Sequence, residues 1–184
     1  MAATETIQIP LGYQAPDFAL PDVVSNTTTT LNDIKGRKGT VVMFICNHCP
    51  YVVHVLSELI RIGKEYSKMD IGFVAISSND VINYPDDSPD KMKDLALEQH
   101  FPFPYLYDES QEVAKSYQAA CTPDISVFDS ALRCIYRGQL DGSRPNNEVP
   151  VTGSDLRNVL DCLLHGKPIP EKQIPSIGCN IKWK

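Results

Sequence analysis

Thr40-Val41-Val42-Met43-Phe44-Ile45-Cys46-Asn47-His48-Cys49-Pro50 is the stretch on which the reading of this 184-residue chain turns. Its first six residues are a continuous apolar, β-branched run, the pattern of a strand buried on both faces. The turn residues Gly36 to Gly39 precede it. After Cys49, the apolar residues Val52, Val55, Leu56, Leu59, Ile62 and Tyr66 recur at helical spacing. Pro50 falls in the first turn of that helix, where backbone amides have no helical partner to lose. Ile71 to Ile76 is a second buried run. Residues 40–76 therefore read strand, helix, strand, which is a parallel crossover unit.

Working outward, Ser88 and Pro89 open a helix that runs to about His100. Phe103 to Tyr107 reads as a short strand, and Asp108 caps a helix through about Tyr117. Ile125 to Phe128 and Leu132 to Tyr136 form a hairpin. A last amphipathic helix starts near Ser154, buries Leu156, Val159, Leu160 and Leu163, and is ended by Gly166 and Pro168. The first thirty or so residues read as an extended lead-in, with Pro16 and Pro21 breaking any helix and Thr27 to Thr30 a surface strand or turn. Residues 167–184 read as an extended tail, with Pro168, Pro170 and Pro175 resisting regular structure. The fold class is α/β, a sandwich with a central mixed sheet flanked by helices. One domain over 1–184, with its core at about 10–165, is expected from the length.

Composition narrows the function. Hydrophobic residues make up 42% and charged residues 22%, which excludes a disordered or fibrous chain. A net charge of −6 argues against a nucleic-acid or anionic-membrane partner. No apolar run approaches the roughly 20 residues that span a bilayer. The opening MAATETIQIPLGYQAPDF lacks the basic flank and apolar stretch of an export signal, so a cytoplasmic location is expected.

The six cysteines are Cys46, Cys49, Cys121, Cys134, Cys162 and Cys179. Structural disulfides are rare in a reducing compartment, so redox chemistry, metal binding or plain burial is expected of them. The C-x-x-C of Cys46 and Cys49 stands at a strand-to-helix junction, which is a redox signature. Two intervening residues let the sulfurs meet, and a helix amino terminus favours thiolate over thiol. The reading places Cys46 at the very start of the helix as the exposed, attacking sulfur. Cys49 lies one turn in and resolves. His48, between them, is assigned a tuning role through a positive charge near the Cys46 thiolate. A zinc site would need a second close pair, and none is present, so no metal is expected. Cys134 and Cys162 read as inert, and Cys179 as a free thiol on a mobile tail. His54, His100 and His165 read as structural, and Arg137 to Arg144 as a solvated loop.

Three segments resemble the thioredoxin superfamily, in its redoxin branch of thioredoxin-like and peroxiredoxin-like proteins, the alkyl hydroperoxide reductase relatives. These are the lead-in Gly12 to Asp22, the stretch Thr40 to Pro50, and Cys121-Thr122-Pro123-Asp124-Ile125-Ser126-Val127-Phe128-Asp129. The resemblance covers about residues 10–165. It implies a thioredoxin-like three-layer sandwich, and a cis Pro123 that faces the cysteine pair and shapes a substrate groove with Thr122. Cys121, just before that loop, becomes a possible third redox thiol. Ile45 stands where thioredoxins carry Trp, and Asn47-His48 where they carry Gly-Pro. With Cys49 mapped as a peroxide-reactive cysteine, the expected Pro and Thr positions hold Val42 and Cys46.

The leading expectation is a thiol–disulfide oxidoreductase that exchanges disulfides with a protein or small-thiol substrate. It uses no cofactor, and the sequence names no electron donor. The alternatives are a peroxiredoxin-like thiol peroxidase with antioxidant activity, and a non-catalytic binding module that keeps only the fold.

Overall fold

A computed structural model describes residues 3–184. Its centre is a five-stranded sheet of β4 (Gly39–Phe44), β5 (Ile71–Ser77), β6 (Tyr105–Tyr107), β8 (Asp124–Asp129) and β9 (Cys134–Arg137). The strand order is β6-β5-β4-β8-β9. β4 runs parallel to β5 and antiparallel to β8, so the sheet is mixed, with the apolar run at its middle. Every residue of β4 is buried, as a strand covered on both faces requires. Alternate residues separate into two cores. Val41, Met43 and Ile45 join the cluster under α2 (Pro50–Tyr66), α3 (Pro89–Glu98) and α5 (Ser154–Leu164). Val42 and Phe44 join the opposite cluster, which holds Phe18, Leu31, Ala114 and Tyr117. That second layer is built from the lead-in, α1 (Leu31–Ile34) and α4 (Glu112–Ser116).

Local chemistry explains the smaller elements. The lead-in makes a two-stranded ribbon of β2 (Ala19–Pro21) and β3 (Thr28–Thr30). Thr30 then caps α1 reciprocally with Asp33. Asp108 does not start a helix directly. Its Oδ2 accepts the Ala114 amide at 2.9 Å and the Ser78 hydroxyl at 2.8 Å, and α4 is only five residues long.

Two expectations are corrected here. The segment from Arg137 to Arg144 is no solvated loop. Arg137 is 1% exposed and lies 3.3 Å from Asp124 Oδ2. It also donates to the carbonyls of Ile7, Tyr117 and Gln118, tying the lead-in to β9. Asp141 is buried as well, and its carboxylate accepts the amides of Ser143, Thr152 and Gly153 ahead of α5. A buried charge is tolerated only with such partners.

The tail is the second correction. β10 (Ile177–Asn180) is the middle strand of a small antiparallel sheet, between β1 (Ala3–Glu5) and β7 (Cys121–Thr122). Cys179 pairs with Thr122 on one side and with Ala3 on the other, and it is 3% exposed. Glycine is required at 178, since a Cβ there would sit 1.9 Å from the Thr122 carbonyl oxygen. The prolines of the tail only delay its return to the body of the protein. No helix among the described residues is long and apolar enough to cross a membrane.

Candidate functional site

The end of β4 delivers Cys46, and the chain bends through Asn47 and His48 before α2 begins at Pro50. Cys49, not Cys46, is the N-cap residue of α2. The loop is held by a residue the sequence reading missed. Asp87 is fully buried at the end of the 3-10 turn Pro85–Asp87. Its Oδ1 accepts the Asn47 amide at 2.8 Å and the His48 amide at 3.3 Å. Its Oδ2 accepts Asn79 Nδ2 at 2.7 Å and lies 2.6 Å from His48 Nδ1. Tyr105 adds a hydroxyl to Asn47 Oδ1 at 3.1 Å.

The cysteine pair and the Thr122-Pro123 loop lie together. Thr122-Pro123 is a cis peptide bond. Cys46 Sγ lies 3.3 Å from Thr122 Oγ1, and Cys49 Sγ lies 3.1 Å from the Thr122 carbonyl oxygen. Neither cysteine is the exposed one, at 1% and 0% exposure. Beside them, Tyr51, His54, Pro123, Ser143 and Ile177 line a narrow cleft of about 20 Å³. Pro123 faces that cleft, whereas β10 covers the Thr122 edge. His54 Nε2 lies 2.8 Å from Ser143 Oγ.

The electrostatics reverse the assignment of charge within the pair. The Cys46 thiol, as hydrogen-bond donor to its partner, is the largest influence pulling Cys49 down to about 5. Burial opposes this, while Cys179, Thr122 and the Val52 amide reinforce it. The same contact pushes Cys46 above its ordinary value, and burial and the Asp87 carboxylate push it further. The Thr122 carbonyl at 3.1 Å is the contact that favours a protonated Cys49, one acceptor against several donors. The single-proton state therefore has its charge on Cys49, at the helix N-cap, and its proton on Cys46. His48 brings a ring nitrogen within 4.8 Å of the Cys46 sulfur and shares it with the Asp87 carboxylate. Its ring lies against Asp87 and stacks on Tyr84 at 5.6 Å and 9°.

Cys121 and Cys179 exchange the places expected of them. Cys121 is buried with its sulfur 3.7 Å from Thr6 Oγ1 and 3.5 Å from the Pro123 carbonyl, turned away from Cys46. Cys179 joins the buried cluster of Cys46 and Cys49 instead, in register with Thr122, and the neighbouring Cys49 raises its pKa after burial does. All six cysteines are free. Cys46, His48 and Asp87 also offer a sulfur, a ring nitrogen and a carboxylate oxygen within 4.8 Å of one another. That is three-quarters of a tetrahedral donor set, assembled across a sequence gap that spacing rules do not reach.

The fold agrees with that of similar proteins. The chain superposes on an uncharacterized conserved protein of Geobacillus kaustophilus with a TM-score of 0.98 and 59% identity, covering 100% of this chain and 97% of that one. A thioredoxin-family thiol:disulfide interchange protein of Chlorobium tepidum shares the fold. Its TM-score is 0.64 at 16% identity, over 85% of this chain and 99% of that one. In sequence, the chain is 28% identical over 119 residues to the thiol:disulfide interchange protein DsbE of Allochromatium vinosum, which is 63% of this chain. It spans 59% of the length of that relative. The central mixed sheet and its flanking helices are thus those of a thioredoxin-like fold in its redoxin branch. Residues 11–137 match the AhpC/TSA family, and the chain belongs to it.

Proposed function

We propose that the protein is a thiol–disulfide oxidoreductase that works through Cys46 and Cys49. The observation that carries this reading is the contact of both sulfurs with one residue, Thr122, at 3.3 and 3.1 Å beside cis Pro123. A thiolate attacks a substrate disulfide and forms a mixed disulfide, and the neighbouring thiol resolves it. The sequence reading gave the attack to Cys46. The charge on Cys49 supports the opposite order, with Cys49 attacking and Cys46 resolving. The thiol:disulfide interchange relative supports protein thiols as substrates.

The family match also favours a second reading, a thiol peroxidase acting through a Cys49 sulfenic acid. Against it, Val42 and Cys46 occupy the positions where a peroxiredoxin-like site would carry Pro and Thr.

Wild type, Cys46→Ser and Cys49→Ser compared in parallel disulfide-reduction and peroxide-consumption assays test both. Wild type is expected to reduce a protein disulfide and to consume peroxide no faster than background. Cys49→Ser is expected to be inactive. Peroxide turnover without disulfide turnover in wild type overturns the first reading in favour of the second. Disulfide turnover retained by Cys49→Ser returns the attack to Cys46.

A further inference from the structure

The C-terminal strand brings a third sulfur to the pair. β10 is paired on both edges, with Cys179 in register with Thr122 and Ala3. Gly178 lies against the Thr122 carbonyl, the same oxygen that Cys49 Sγ approaches to 3.1 Å. Cys179 is therefore held beside Cys49 by backbone pairing, not by a chance side-chain rotamer. Cys46, Cys49 and Cys179 lie in one buried cluster, with Cys179 opposite the residue that both sulfurs of the pair touch. Cys121 is held equally firmly but faces Thr6 and the Pro123 carbonyl. Cys49 thus stands between two thiols, Cys46 and Cys179.

We propose that Cys179 is a third redox thiol, which moves the disulfide of the Cys46–Cys49 pair onto a Cys49–Cys179 bond. This rests on the thiol–disulfide reading of the pair. The Cys179 thiolate attacks Cys49 Sγ, a Cys49–Cys179 bond forms, and the Cys46–Cys49 bond breaks. Cys46 leaves with the electron pair and ends as a thiol, taking up the proton that Cys179 gave away. No electrons are gained or lost in this exchange, because the oxidising equivalents came from the substrate disulfide in the earlier step. In the reduced protein, burial and then the Cys49 sulfur hold Cys179 at about 12. The second influence disappears once Cys49 is in a disulfide, and Lys182 on the same segment favours the thiolate. Cys46 is left reduced, and the C-terminal strand is tied covalently to the N-cap of α2.

The test equilibrates full-length wild type, Cys46→Ser and Cys46→Ser/Cys179→Ser in oxidised glutathione, followed by acid quenching and non-reducing peptide mass spectrometry. Cys46→Ser is expected to give the Cys49–Cys179 cross-link as its dominant oxidised species. The double variant is expected to give a Cys49–glutathione adduct instead. Wild type is expected to show the Cys46–Cys49 link with a share of Cys49–Cys179. A Cys46→Ser protein that keeps glutathione on Cys49 while Cys179 stays open to alkylation overturns the proposal, and so does a Cys49–Cys121 link. Wild type that forms no disulfide at any glutathione ratio overturns the parent reading, which separates the two failures. Circular dichroism checks the fold of each variant, and Cys46→Ala repeats the measurement if the serine variant does not fold.

Discussion

At the scale of single residues, Asp87 reinforces the charge pattern that the Cys46–Cys49 contact and burial set up in the pair. Its carboxylate lies beside Cys46 and opposes a second negative charge there, while its Oδ1 accepts the amides of Asn47 and His48. Asp87→Asn keeps Oδ1 for those amides and removes the charge. The higher thiol titration, that of Cys46, should move to lower pH in thiolate absorbance. The new amide would face Asn79 Nδ2 as donor to donor where Oδ2 accepted at 2.7 Å. A buried group left without its partner costs about 1–3 kcal/mol, which a denaturant melt should read. An unmoved thiol titration would show that the Asp87 charge is not felt at Cys46. The cysteines themselves were legible in the sequence because two intervening residues force them together. Asp87 was not, since only folding of the 79–87 loop over β4 brings it to the pair.

Among the elements, strand–helix–strand and the hairpin could be read because each carries its own periodicity. β10 could not. Ile177-Gly178-Cys179-Asn180 has little strand propensity of its own, and its two partners, β1 and β7, are two or three residues long. It exists through pairing across nearly the whole chain. The same pairing covers the Thr122 edge, so the buried pair is closed to a bulky reagent unless β10 or the 79–87 loop moves. Gly178→Ala tests this. A methyl 1.9 Å from the Thr122 oxygen forces the strand away. Forced overpacking costs about 1–3 kcal/mol. Stability should fall by that amount, and alkylation of Cys49 should speed up. Loss of stability with unchanged alkylation would mean that β10 does not gate the pair.

For the whole molecule, the pair links its own protonation to stability. Cys49 titrates at about 5 in the folded protein against an ordinary 9.0, and Cys46 titrates above 9.0. Between pH 5 and 9 the folded pair holds one proton and the unfolded pair holds two. The unfolded state binds more, so stability rises with pH across that window. Its slope approaches about 1.4 kcal/mol per pH unit in the middle of the range. Above pH 9 the unfolded thiols are ionised while folded Cys46 keeps its proton, and the slope changes sign. Burial sharpens the fall, because it is the largest cause holding Cys121 and Cys179 up at about 12 and Cys134 at about 11. Each of these is stabilising below 9 and loses that contribution as pH climbs through its folded value. Reduced wild type and Cys46→Ser/Cys49→Ser, melted in urea from pH 5 to 10, should differ by a quantity that peaks near pH 9. A difference flat in pH would mean that the two sulfurs do not share a proton, and the charge would then have no preferred seat at the helix N-cap.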